Sequence, residues 1–306
     1  MVGRGFQNLQ GWIESNCCGI CSCDGSHVKP SQDINRPMTD TPPPAPETSE
    51  RIRPLAEMVH ALGFLTRLPI PLARTIDPPP LAQNMRMFGI AGALIGAAIG
   101  AVLVSASYLQ VPPMMAAVIA VAAGILLTGA LHEDGAADLA DGLAGGKTRE
   151  RRLEIMRDSR IGTYGALALG LVLFARIAAY VSLLSLPALT VLAIIAATQA
   201  FSRALVVDLM WATPAARIDG LSVFAGRPSR GAAIFAIITG LTVTLLTGLL
   251  VQPASGIVAL ALALAATALL RRLALRRLGG QTGDVCGAVQ VAAEIAMLVA
   301  FVATIH

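Results

Sequence analysis

The dominant pattern along this chain is neither alternation nor a narrow helical stripe, but long apolar runs separated by short polar breaks. Seven such runs, rich in Ala, Leu, Gly and Ile, lie near 88–109, 113–132, 163–185, 188–210, 231–252, 254–270 and 286–305. A helix needs about 20 apolar residues to cross the hydrocarbon of a bilayer, and each run approaches that length. No strand-like period of two is present, which disfavours a β-barrel. The expected fold is all-α: a polytopic membrane helical bundle of about seven transmembrane helices, forming one integral membrane domain over residues 51–306. Ahead of the first run, the string PLAEMVHALGFLTRLPIPLA is amphipathic but interrupted by charge and Pro. It predicts an interfacial or re-entrant helix within 52–73.

Charge sorts the breaks into two kinds. Those at Gln110–Pro112, Leu186–Pro187 and Gln252–Pro253 carry no Lys or Arg, whereas those at 133–162, 211–230 and 271–285 are basic. Under the positive-inside rule the basic loops are cytoplasmic. The expectation is therefore a multi-pass inner-membrane protein with its N-terminus inside, its C-terminus outside and any active-site loops on the cytoplasmic side.

Composition strengthens this picture. The chain is 55% hydrophobic and only 14% charged, against about 25% charged in soluble domains. A net charge of +4 and 4% aromatic residues give no basic stacking platform, so nucleic acid is not an expected partner. Residues 1–50 differ from the rest and are read as a disordered Cys/Pro-rich extension. They hold four of the five cysteines, including a CxxC at Cys18 and Cys21. No second CxxC or His pair stands nearby to complete a zinc site, and the tract TDTPPPAPETSE has the composition of a linker. No apolar stretch follows the first bases, as a secretory signal requires, and Met38 supplies a second start position.

The candidate chemistry lies between the second and third apolar runs, in HEDGAADLADGLAGGKTRERRLEIMRDSRIG from His132 to Gly162. Asp134, Asp138 and Asp141 fall on one face of a helix. Three carboxylates so placed repel one another, and a cation relieves that repulsion. Oxygen-only ligands favour Mg²⁺ or Mn²⁺ over zinc. Bases follow the acids, and Lys147, Arg152, Arg157 and Arg160 are candidate phosphate contacts. Arg157 and Arg160 stand just before Ile161-Gly162-Thr163, where a helix N-terminus adds its amides to an anion site. The last basic break gives Asp284, either a fourth carboxylate for the site or a helix N-cap. Arg176, Arg203, Asp208 and Glu294 fall within apolar runs, where charge is costly and is paired or functional. Arg203 and Asp208 stand near the basic end of their run, where snorkelling is open to them. Arg176 and Glu294 sit deeper, suited to pairing with each other or to a polar cavity.

The motifs resemble one family. HEDGAADLADGLAGG followed by RERRLEIMRDSRIGTYG is similar to the signature of the adenosylcobinamide-GDP ribazoletransferases, also called cobalamin-5′-phosphate synthases. FLTRLPIP near the start and TGDVCGA near the end resemble that family's two other signatures. The likeness covers roughly residues 55–305 and departs at Glu133, where the family usually has an apolar residue. It implies a late step of cobalamin biosynthesis, in which adenosylcobinamide-GDP and α-ribazole (or its 5′-phosphate) are joined, GMP is released and Mg²⁺ assists. It also makes other cobalamin-assembly enzymes candidate partners. On this reading Asp134, Asp138 and Asp141 hold the metal, and Arg157 and Arg160 hold phosphate oxygens. His132 or the least metal-engaged Asp serves as general base. Two other readings compete. CDP-alcohol phosphotransferases also use spaced Asp residues on membrane helices, but with an Ala-Arg after the first Asp-Gly that is absent between Asp134 and Asp141. A multi-span transporter would place its charge at mid-membrane rather than in loops.

Overall fold

The computed structural model describes residues 54–70 and 80–305; the expected extension over 1–50 lies outside them. Eleven helices carry the description that follows: α1 (Pro54–Leu65), α2 (Phe88–Tyr108), α3 (Pro113–Thr128), α4 (Leu131–Gly145), α5 (Arg149–Ile155), α6 (Thr163–Leu183), α7 (Ala188–Ala212), α8 (Leu221–Ala225), α9 (Arg230–Val251), α10 (Pro253–Leu278) and α11 (Gly283–Ile305). A short helical turn at Leu81–Asn84 and a 3₁₀ turn at Met85–Met87 lead directly into α2. Among the described residues, six helices are long and apolar enough to cross a membrane, and α3 with α4 forms a further pair bent by 90°. The protein is thus a polytopic helical bundle.

Local sequence sets the boundaries. Pro113 and Pro253 open α3 and α10, where a missing N–H costs no helical hydrogen bond. Thr148 and Ser229 cap α5 and α9 by accepting from the amides of Arg151 and Ala232, at 3.2 and 3.1 Å. Gly279, at φ +80°, closes α10. This last helix runs to Leu278 rather than stopping near residue 270, because Arg271, Arg272, Arg276 and Arg277 are good helix formers. Hydropathy marks where lipid ends, not where helical hydrogen bonding ends.

The centre of the bundle is α7, which packs on α2, α9, α10 and α11. Without a hydrophobic force between helices in lipid, close approach of small residues provides the contact. Gly92 and Gly96 of α2 supply it: a Cβ on either would come within 2.4 Å of a backbone carbonyl oxygen of α7, that of Gln199 or Ile195. On the periphery, α1 buries Glu57, which accepts from Gln83 at 3.0 Å and pairs with Arg86.

The feature that positions the site is the break between α3 and α4. Gly129 and Ala130 both adopt left-handed backbone, at φ +67° and +58°. Two such residues in succession end one helix and start the next at a right angle. The run expected to continue to residue 132 therefore stops at Thr128. The polar helix α4 then packs against α6 and α11.

Candidate active site

At about 100° per residue, Asp134, Asp138 and Asp141 occupy about 60° of arc on α4, as their spacing predicts. The structure gives them two different fates. Asp134 is exposed and Asp138 half-buried, whereas Asp141 is buried. Asp141 accepts from the amides of Gly162 and Gly165, at 2.7 and 2.8 Å, one to each carboxylate oxygen. It anchors the N-terminus of α6 to α4, a favourable place for a negative charge. Both glycines are needed for this approach, since a Cβ at either would lie within 2.5 Å of the Asp141 carboxylate.

The carboxylate that joins Asp134 and Asp138 comes from the other end of the sequence. Helices α4 and α11 touch backbone to backbone, with a Cβ at Gly135 placed 2.9 Å from the Asp284 Cα and one at Gly287 placed 2.8 Å from the His132 carbonyl oxygen. Asp284 is not the cap of α11. Thr282 Oγ1 takes that role, accepting from the Val285 amide at 3.3 Å. The Asp284 carboxylate instead accepts from Thr282 Oγ1 at 3.2 Å and stands 3.7 Å from Arg217 Nη2. Burial first, then the carboxylates of Asp134, Asp284 and Asp141, push Asp138 up to about 7, with Arg217 opposing. Burial also raises Asp134.

The three basic loops meet here. Ala216 and Gln281 bridge the second loop to the third, with the Ala216 amide donating to the Gln281 carbonyl at 2.8 Å. Arg149 donates to the carbonyls of Leu278 and Ala216, at 2.7 and 2.6 Å. Arg217 donates to the Leu153 carbonyl at 2.9 Å. Of the expected phosphate contacts, Lys147, Arg157 and Arg160 are exposed. Arg157 pairs with Asp219 at 2.5 Å and Arg160 with Asp158 at 2.7 Å. Hydrogen bonds from Arg160 hold the Asp158 carboxyl down at about 2. Arg152 is different. It is buried against Gly146, with Nη1 directed to the Arg277 carbonyl at 3.4 Å. It braces the first loop against α10.

His132 is not brought to the acidic face. It lies on the opposite side of α4, buried, and lines a small polar cavity with Glu133, Arg176, Tyr180, Arg203 and Glu294. Three of the four charges expected within the spans, Arg176, Arg203 and Glu294, also lie there. Arg176 pairs with Glu294, and also with Glu133. Arg203 is 2% exposed and bonds Gln199 within its own helix rather than snorkelling to the surface.

Among the described residues, no three His, Cys, Asp or Glu side chains stand as a ready-made metal cage. The donor chemistry nonetheless fits Mg²⁺. That ion is usually held by one or two carboxylates plus substrate phosphates, and Asp134 and Asp138 are the two less buried aspartates of the α4 acidic face. Arg217 and Asp219 are the residues that sequence reasoning did not single out. Their only signal was membership of a basic loop.

The family model for cobalamin-5-phosphate synthase (CobS) matches residues 57–302. The chain belongs to the cobalamin-5-phosphate synthase family. Among its relatives is an adenosylcobinamide-GDP ribazoletransferase from Azorhizobium caulinodans, 46% identical over 254 residues, covering 80% of this chain and 95% of the relative. Proteins of the same name from Bradyrhizobium diazoefficiens and a Sinorhizobium species are each 43% identical over 255 residues. These cover 83% and 81% of this chain, and 95% and 97% of the relatives. No solved structure matches the chain.

Proposed function

We propose that this protein joins adenosylcobinamide-GDP to α-ribazole, or to α-ribazole 5′-phosphate, with release of GMP, at the cytoplasmic face of the inner membrane. The observation that carries the reading is the meeting of Asp134 and Asp138 on α4 with Asp284 on α11 and Arg217 of the second loop, where the chain's basic loops converge. Membership of the cobalamin-5-phosphate synthase family supplies the substrates.

In the reaction a ribose hydroxyl of the ribazole other than the 5′ one, which carries the phosphate in α-ribazole 5′-phosphate, attacks the phosphorus attached to cobinamide. A new P–O bond forms, the P–O bond to the GMP phosphate breaks, and GMP leaves with the bonding electron pair. Asp134 and Asp138 would hold Mg²⁺, which when bound would supply neutralisation of the charge on the leaving phosphate. Arg157 and Arg160 bind phosphate oxygens after exchanging their carboxylate partners, Asp219 and Asp158, for the substrate. Arg217 lies deeper and orients the diphosphate beside Asp284. With His132 turned away, the hydroxyl proton passes to Asp284, whose oxygens are free of a capping role. Positioning and charge neutralisation supply most of the rate in such displacements.

The test is direct. Purified protein in detergent, given Mg²⁺, adenosylcobinamide-GDP and α-ribazole, releases GMP in proportion to cobalamin formed. Binding of both substrates without GMP release would sink the proposal.

A further inference from the structure

We propose that Arg176 is a positioning residue that sets the angle between α4 and α11, and through it the spacing of Asp138 from Asp284. The inference rests on the site reading given above. Arg176 lies in α6, 6% exposed. Its Nε and Nη2 donate to the two oxygens of Glu294, at 3.0 and 2.7 Å, and its Nη1 donates to Glu133 Oε1 at 2.5 Å. Glu294 belongs to α11, whose first turn holds Asp284. Glu133 belongs to α4, directly before Asp134. One guanidinium therefore holds both helices that carry the site's carboxylates. The planar fork fixes orientation as well as distance.

The two helices touch through Gly135 and Gly287, small residues that allow close approach. The contact spans His132 to Gly135 on α4 and Asp284 to Gly287 on α11, so Asp138 lies about one turn beyond it on one helix and Glu294 about two turns beyond it on the other. Rotation of the helices about this contact moves Asp138 relative to Asp284 and Glu294 relative to Glu133 together. Holding Glu133 and Glu294 on one arginine fixes where Asp138 lies relative to Asp284. Glu133 Oε2 has no hydrogen-bond partner, so the tie to Arg176 is the hydrogen bond that its carboxylate makes.

Stability alone does not account for the arrangement. Desolvating buried ion clusters often costs as much as their attraction returns, and apolar residues of similar volume usually replace them without loss. What apolar residues do not reproduce is a directional link between two helices.

Full-length protein in detergent decides the matter with Mn²⁺ and GDP as probes, the bound metal being read by electron paramagnetic resonance without turnover. Two variants are compared with the wild type: Arg176→Lys, which keeps the charge but loses the fork, and the triple variant Arg176→Met/Glu133→Leu/Glu294→Leu, which removes the whole network. They differ in what they leave buried, so a fold lost in one leaves the other to decide. Expected is a folded protein whose Mn²⁺ affinity falls about tenfold or more, as for loss of residues that orient metal ligands, with KM for α-ribazole unchanged and kcat reduced. Wild-type Mn²⁺ affinity and kcat in a folded variant overturn the inference alone. Failure of the wild-type protein to bind Mn²⁺ with GDP overturns the site reading and this inference together.

Discussion

Asp138 and Asp141 illustrate how far residue type and spacing reach. Both lie on the predicted acidic face, three residues apart, and nothing in the sequence separates their roles. The difference arises from contacts made across the fold. Asp141 meets the Gly162 and Gly165 amides, whereas Asp138 is governed by burial and by the charges of neighbouring carboxylates and Arg217. The same limit hid the burial of Arg152, whose partner is a carbonyl of α10. The two aspartates should therefore respond to mutation in opposite senses. The pKa of Asp138 is raised to about 7 in the folded protein, so its ionised form is disfavoured by folding. That penalty is absent below the ordinary carboxylate pKa, grows as pH rises from about 4 to about 7, and is constant above. Asp138→Asn should abolish GMP release yet raise the Tm of the metal-free protein, most of all above pH 7. Asp141→Ala should lower stability by roughly 1–3 kcal/mol through loss of two amide partners. Thermal unfolding across pH measures both, and a fall in Tm for Asp138→Asn would refute the electrostatic account.

At the scale of elements, the apolar helices were legible because burial in lipid demands an unbroken hydrophobic run. The turn that places α4 was not. Gly129 is an ordinary signal for left-handed backbone, but Ala130 at φ +58° is not, and only the surrounding packing holds it there. The α4–α11 contact was equally hidden, since 149 residues separate Gly135 from Asp284. Here two glycines allow a controlled comparison. A Cβ at Gly135 meets the Asp284 backbone, whereas one at Gly170 in α6 meets nothing within 4 Å. Gly170→Ala should leave activity intact and add up to about 1 kcal/mol of stability from helix propensity. Gly135→Ala must push α11 away from α4. Misplacement of about 1 Å can cost on the order of 100-fold in rate. Steady-state kinetics should show that loss in kcat/KM for Gly135→Ala alone, and equal behaviour of the two variants would remove the close contact from the explanation.

For the whole molecule, the basic loops meet at one end of the bundle, and the uncharged connections join the other ends of the same helices. The pairing of Arg176 with Glu133 and Glu294 satisfies the deep charges internally, which weakens the transporter reading and leaves the loops as the place for chemistry. The proposed orientation rests on two independent arguments. Positive-inside asymmetry favours a cytoplasmic basic end. A nucleoside diphosphate conjugate, multiply charged, does not cross lipid unaided, so an enzyme that consumes it must face the compartment where nucleotides are made. Single-cysteine labelling can test the two together. With Cys286 and the N-terminal cysteines replaced, Gln110→Cys in the uncharged α2–α3 connection should react with a membrane-impermeant maleimide applied from the periplasmic side. Ser159→Cys, between Asp158 and Arg160 in the first basic loop, should react only after the cytoplasmic face is opened. Both positions are exposed, so accessibility depends on the side of the membrane and not on burial. The reverse pattern would place the Asp134–Asp138–Asp284 site outside the cell's nucleotide pool and would contradict the proposed reaction at its first step.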